Sequence, residues 1–176
     1  YAMDISFKSP DNSFKSLLSL IPGMYTKSFG SIETKGELAL AGFVKGSYSE
    51  KQMPAFNLNM VVKDAMFKYP ELPTAINNIN LDLLIDNKDG IIDHTIIDLK
   101  KLHLDFGANP VDARARITAL YPTNLDAEIS AALNLAEVDK MFPLEGLDMK
   151  GKYALNLKAN GVYDSIKGSI PAINAA

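Results

Sequence analysis

The sequence predicts a mainly β protein: a long, curved, coiled antiparallel sheet, a meander forming a repeating β-groove, with two short helices. Three observations predict it. Apolar and polar residues alternate with period two over most of the chain, Gly, Pro, Asn and Asp fall between the alternating runs, and one fourteen-residue stretch occurs twice.

The alternation defines the strands. Phe56, Leu58, Met60 and Val62 share one face, with Asn57, Asn59 and Lys63 opposite. Ile79, Leu81, Leu83 and Ile85 stand against Asn80, Asp82 and Asp86, and Val111, Ala113, Ala115, Ile117 and Ala119 against Asp112, Arg114 and Arg116. One apolar and one wet face is the pattern of antiparallel sheet. The segments EKQMP, YPELP, DNKDG, GANP and YPTN supply turn chemistry between the runs, and Pro54, Pro70, Pro73, Pro110 and Pro122 all fall there. Strands are therefore expected at about 32–48, 55–69, 78–87, 91–106, 111–120, 124–135 and 148–163.

Two strands change phase part-way. Leu38 and Leu40 are even-numbered but Phe43, beyond Gly42, is odd; Ile97 and Leu99 are odd but Leu102, Leu104 and Phe106 are even. A β-bulge at Gly42 and another at Lys100–Lys101 account for this, since one inserted residue restores the facing and bends the strand. Two short strands joined by a tight turn are the alternative.

Helical spacing is confined to two places. SFKSLLSLIPGM, from Ser13, puts Phe14, Leu17, Leu18 and Ile21 on one face, with Asp11, Asn12 or Ser13 as N-cap and Pro22–Gly23 as a stop. NLAEVDKMFP does the same with Leu135, Val138 and Met141 or Phe142, ending at Pro143.

Each helical segment precedes one copy of the duplicated stretch. KGELALAGFVKGSY (35–48) returns as KGKYALNLKANGVY (150–163), six of fourteen positions identical without a gap, and Gly36 and Gly151, Gly46 and Gly161, Tyr48 and Tyr163 are all 115 apart. The expected organisation is one complete unit over about 11–134 and the start of a second over about 135–176, stacked along an axis. YAMDISF begins in mid-pattern, so the chain reads as a fragment of a larger protein.

Composition narrows the function. With 176 residues, 47% of them hydrophobic and 22% charged, the chain is long enough for one sizeable core and is not a disordered segment. The net charge of −3, with Arg114 and Arg116 the only arginines beside sixteen lysines, leaves no basic stripe for nucleic acid. The absence of cysteine removes disulfides, thiolate catalysis and thiolate-ligated metals. No apolar run approaches the roughly 20 residues of a spanning helix, and no signal peptide is visible.

Seven strands spaced about 4.8 Å apart make a sheet roughly 30 Å across, whereas a helix covers only about 10 Å of width. Two short helices cannot cover such a face. The sheet must curl on itself, pack a second layer, dimerise or hold something apolar. Ala113, Ala115, Ala119, Ala127 and Ala131 all read as apolar-face residues: they either let another layer approach closely or leave a trough wide enough for an alkyl chain.

The pattern resembles the AsmA-like family of Gram-negative envelope proteins, relatives of TamB and of the chorein-type bridge-like lipid-transfer proteins. The likeness is carried by LLSLIPGMY with KGELALAGFVKGSY, by PAFNLNMVVKDAMFKYPELPTAINNINLDLLIDNKDG, and by DLKKLHLDFGANPVDARARITALYP running into NLAEVDKMFP. Together these span nearly the whole chain. The family is defined by a strand-and-turn rhythm and carries no catalytic signature. The resemblance implies a periplasmic protein, anchored in the inner membrane by an N-terminal helix, whose curved apolar groove supports lipid transport and outer-membrane biogenesis. Read as a fragment, the chain departs from that picture in that the anchor would belong to the rest of the larger protein.

Catalytic constellations find little support. His94 and His103, in HTIID and HLDF, lack metal-ligand spacing and read as polar-face strand residues. DNKDG (86–90) would put the first ligand of a calcium loop at Ile85 and reads as a hairpin turn ending in Asp89–Gly90. No nucleotide-binding or serine-hydrolase motif occurs, and Asp86, Asp89 and Asp93 read as solvated carboxylates beside a turn. The expectation is thus a non-enzymatic protein without metal or cofactor, whose partners are lipid or acyl chains and other envelope proteins. The lipid contacts are placed on Phe56, Leu58, Met60, Val62, Leu81, Leu83 and Ile85, the cleanest alternating runs. The alternative is a structural or protein-interaction β-module.

Overall fold

The computed structural model describes residues 1–9, 13, 32–49, 52–68, 74–141, 149–164 and 172–175. Nine strands follow one another in a single antiparallel sheet: β1 (Ala2–Lys8), β2 (Glu33–Ser47), β3 (Ala55–Lys68), β4 (Ile76–Asn87), β5 (Ile96–Phe106), β6 (Asn109–Leu120), β7 (Thr123–Asn134), β8 (Lys152–Tyr163) and β9 (Ala172–Ala175). Each strand pairs with its neighbours in sequence, and β1 and β9 end the order, so the sheet is an open meander.

The helical elements among the described residues are α1 (Leu135–Met141) and a 3-10 turn at Ile92–His94. Asn134 caps α1, its Oδ1 accepting from the backbone N–H of Ala136 at 3.2 Å while its Nδ2 donates to Glu137 at 3.1 Å. The helix expected from Ser13 lies outside the described residues, except that Ser13 itself bridges to Glu37.

All seven expected strands form. β1 and β9 were not foreseen: β1 carries only Met3, Ile5 and Phe7 in phase, and the four residues of β9 are too few to display a period. β5 starts at Ile96 rather than 91, because the side chains of Asn87 and Asp89 hold the preceding backbone in a turn. His94 accordingly lies in the 3-10 turn, not on a strand.

The bulge at Lys100–Lys101 is present. Asp82 pairs with Lys101 and Leu83 with Leu99, and across the other edge Leu99 meets Ala115 while Leu102 meets Ala113. The extra residue lets Leu99 and Leu102 face the same way.

No bulge occurs at Gly42. Leu40–Met60, Gly42–Leu58 and Val44–Phe56 pair without interruption, so Phe43 points to the polar side, between Ser6 and Asn57. The inward position at Gly42 is filled from β1: a Cβ there would stand 2.5 Å from the Phe7 ring and 2.2 Å from the Asn57 carbonyl oxygen. The irregularity of β2 lies instead at Gly36, where Lys35 pairs with Met66 but Glu37 with Lys63, and Asp64 takes φ +47°.

A further shift between Ile117 and Ala119 corrects another expectation. Ala119 pairs with Asn124 and Leu120 with Thr123, which puts Leu120 in phase with Leu125 and turns Ala119 to the polar side.

The two copies of the duplicated stretch occupy β2 and β8. Gly36 and Gly151 have φ +106° and +103°, and Gly46 and Gly161 have +128° and +153°. Their preceding neighbours also correspond, since Met3 and Ile5 pair with Gly46 and Val44 as Leu125 and Ala127 pair with Gly161 and Ala159.

Among the described residues, the buried hydrophobic side chains are Leu38 (1% exposed), Val62 (2%), Ala65 (0%) and Ala159 (7%). The first three form one cluster, with Leu40, Met60, Phe67, Ile79 and Leu81 packed around it.

Candidate functional site: the apolar face of the sheet

The strand register sorts side chains into two fields. Facing one way are Leu38 to Val44 of β2 at even positions, Phe56 to Val62 of β3, Leu81 to Ile85 of β4, and their ladder partners through β8. Among the described residues, no charged side chain falls in this phase from β2 to β8. The field ends in polar clasps. Asn87, 0% exposed, donates to Ile91 O at 2.7 Å and Thr95 Oγ1 at 2.9 Å. Asn109, 1% exposed, donates to Phe106 O at 2.7 Å and Glu137 Oε2 at 2.9 Å, and accepts from the backbone N–H of Asn134. Both clasps satisfy their own polar groups, so they close the strand ends without interrupting the apolar surface.

The seven expected contact residues come together as one strip. Phe56 pairs with Asn87, Leu58 with Ile85, Met60 with Leu83 and Val62 with Leu81. Val62 is buried against Leu38 and Ala65; Phe56, Leu58, Met60, Leu81, Leu83 and Ile85 are half-buried.

A second relationship runs across the strands. Leu40, Met60, Leu83, Leu99, Ala115, Ala127 and Ala159 pair in succession from β2 to β8. Six inter-strand steps of about 4.8 Å give this row a length of roughly 29 Å. Its relief falls from Leu and Met on β2–β5 to Ala on β6–β8. Sequence reasoning placed contacts on two strands only and missed the row. Its signal was the set of alanines in apolar phase, which needed the register to be joined to Met60 and Leu83.

The opposite face holds the charge. Arg116 meets Asp98 at 2.9 Å, Lys100 meets Asp82 at 3.3 Å, and Arg114 reaches both Asp126 (3.1 Å) and Glu128 (2.9 Å). Lys158 adds a second cation to Glu128 at 3.1 Å. Hydrogen bonds from Arg114 and then Lys158 lower the Glu128 pKa to about 2, and the same carboxylates raise that of Arg114. His103 lies between Asp112 (2.8 Å) and Asp105 (3.5 Å), on the polar face as expected. His94 contacts Asp89 at 2.6 Å and holds its carboxyl below the usual range. Apart from His94–Asp89 in the turn and His103–Asp105 along β5, these are cross-strand pairs on the exposed ionic face of the sheet.

No helix among the described residues is long and apolar enough to cross a membrane. No protein-family model matches the chain, and neither curated proteins nor solved structures give a match.

Proposed function

We propose that the apolar face binds acyl chains, as one groove segment of an AsmA-like, inner-membrane-anchored periplasmic protein of a Gram-negative bacterium that serves lipid transport or outer-membrane biogenesis. The observation that carries this reading is the uncharged row from Leu40 to Ala159 on an open sheet, partly exposed along its length up to the buried Ala159. Each buried methylene contributes about 0.8 kcal/mol, so a tail lying along even part of the row is held without a polar contact. One lipid tail spans about half of a ~30 Å hydrocarbon core, and the row is long enough for two end to end. The bulges at Lys100–Lys101 and Asp64 bend their strands in the manner of a curved groove. Such a site is broad in headgroup preference, because it reads the tail alone, and it needs neither cofactor nor catalytic residue.

The buried Leu38–Val62–Ala65 cluster favours a second reading, a structural or protein-interaction module whose face is closed by packing. Met60→Asp and Leu83→Asp separate the two. For a groove, both variants fold and bind a fluorescent fatty acid at least tenfold more weakly. Unchanged binding by folded variants removes the strip as the site; unfolding of both favours the packed module.

A further inference from the structure

The duplication aligns more than β2 and β8. With Met3 and Ile5 placed as Leu125 and Ala127, the rest of β1 follows: Asp4 pairs with Lys45 as Asp126 with Asn160, Ser6 with Phe43 as Glu128 with Lys158, and Phe7 with Gly42 as Ile129 with Leu157. β1 thus stands to β2 as β7 stands to β8, and MDISFK matches LDAEIS in its alternation of apolar and polar residues. The two strands differ in their other neighbour. β7 carries β6 on its outer edge, whereas among the described residues no strand pairs with the outer edge of β1.

That edge is unprotected. The Tyr1 amino group donates to Tyr48 O at 3.0 Å, Tyr48 N–H to Tyr1 O at 2.8 Å and Ser9 N–H to Leu40 O at 2.7 Å, so the odd-numbered residues bond inward to β2. Bonding direction alternates along a strand, which turns the N–H and C=O of Ala2, Asp4, Ser6 and Lys8 outward. β1 pairs with β2 without a register shift, contains no Pro and keeps charge out of its apolar phase. Bulges, prolines and inward charges are the devices that ordinarily blunt an edge. Ile5 and Phe7 stay 53% and 40% exposed on it.

What β7 receives tells what β1 is shaped to receive. β6 lies antiparallel to β7 with Ile117 opposite Leu125, Arg116 opposite Asp126, Ala113 opposite Ile129 and Asp112 opposite Ser130, and Arg114 closes on Asp126 at 3.1 Å. Carried over to β1, the same strand sets Ile against Met3, Arg against Asp4, Ala against Phe7 and Asp against Lys8. Both charges of β1 meet their opposites, although Lys8 stands where β7 has the neutral Ser130. Asp4 already touches Lys45 at 3.3 Å, but Glu128 on the same face takes one cation from each neighbouring strand, Arg114 and Lys158.

We infer that the outer edge of β1 docks an extended peptide strand from outside the chain, added antiparallel, whose small apolar residues alternate with charged ones in the order Asp, Arg, Arg found in β6. Main-chain bonds to the outward groups hold such a strand, and the pairs to Asp4 and Lys8 fix its direction and register. The edge is separate from the sheet face, so this docking is independent of the acyl-chain reading.

The test is fluorescence anisotropy of a labelled peptide with β6's sequence, PVDARARITAL, titrated with the whole chain. Ser6→Pro removes one outward N–H and leaves the bonds to β2 in place, so it keeps the thermal midpoint and binds at least tenfold more weakly. Asp4→Arg weakens binding at least fivefold, and the peptide with Arg114→Glu/Arg116→Glu recovers it on that variant. Should Ser6→Pro fail to fold, this charge exchange decides alone. The inference is overturned if the parent does not bind the peptide, if folded Ser6→Pro binds it equally, or if the exchanged peptide recovers nothing on Asp4→Arg. It is also overturned if sedimentation without peptide shows a dimer that Ser6→Pro dissolves, because a second copy would then be the occupant.

Discussion

Gly36 and Gly151 share one backbone conformation, φ +106° and +103°, in opposite surroundings: a Cβ on Gly36 would lie 2.4 Å from the Ala65 Cα, whereas one on Gly151 meets nothing within 4 Å. The two positions correspond in the duplicated stretch. Only the first faces a strand that bulges into it.

Gly151→Ala is expected to destabilise by about 1–3 kcal/mol, from the positive φ alone. Gly36→Ala bears the same strain plus an overpacking term of about 1–3 kcal/mol, because the atom it strikes is backbone and cannot swing aside. Urea midpoints of the two variants measure the difference. Equal losses would show that the Gly36–Ala65 approach is not tight in solution.

Glu128 supplies a pH signature. Its folded-state value of about 2 lies below the ordinary 4.5, so its stabilising pairs with Arg114 and Lys158 act fully above the ordinary value and are lost as pH falls toward 2. The parent's denaturation midpoint should drop across that acid window, and that of Glu128→Gln should drop less. The difference shrinks in high salt, as for any exposed pair. Parallel pH profiles for the two proteins would remove Glu128 as a contributor.

Single-residue deletions read out the register. Removing Lys100 leaves Ile97, Leu99 and Leu102 on one face in unbroken alternation, so the protein should still melt cooperatively, with a loss of about 1–3 kcal/mol. Removing Asn59 turns either Phe56 and Leu58 or Met60 and Val62 to the wet side, between two paired neighbours, and should abolish the cooperative transition. Circular dichroism melts distinguish the two. A cooperative melt for both deletions would mean that the register is weakly specified.

Much of the fold is written in local pattern. The period of two in Phe56–Val62 and Leu81–Ile85 assigns each residue a face before any partner is known, and the paired lysines at 100–101 announce their bulge by the phase change around them. Phe43 misled because a phase change read along one strand has two explanations. The inward place it left at Gly42 is filled by Phe7 from β1, which only the neighbouring strand reveals. Ile91 and Ile92 misled similarly, since consecutive isoleucines read as strand while the side chains of Asn87 and Asp89 bend that backbone into a turn.

By itself, the sequence determined that this is an alternating, mainly β chain with one apolar and one ionic face, because between bulges the side-chain direction along a strand follows the residue's parity. Tertiary structure alone decided what lies beside what: the row from Leu40 to Ala159, the seat of Phe7 on Gly42, and the clasped tip that holds Ile91 and Ile92 in water. The reason is physical. Cross-strand rows and bulge positions are set by register between segments far apart in the chain, and register depends on the packing of both partners at once.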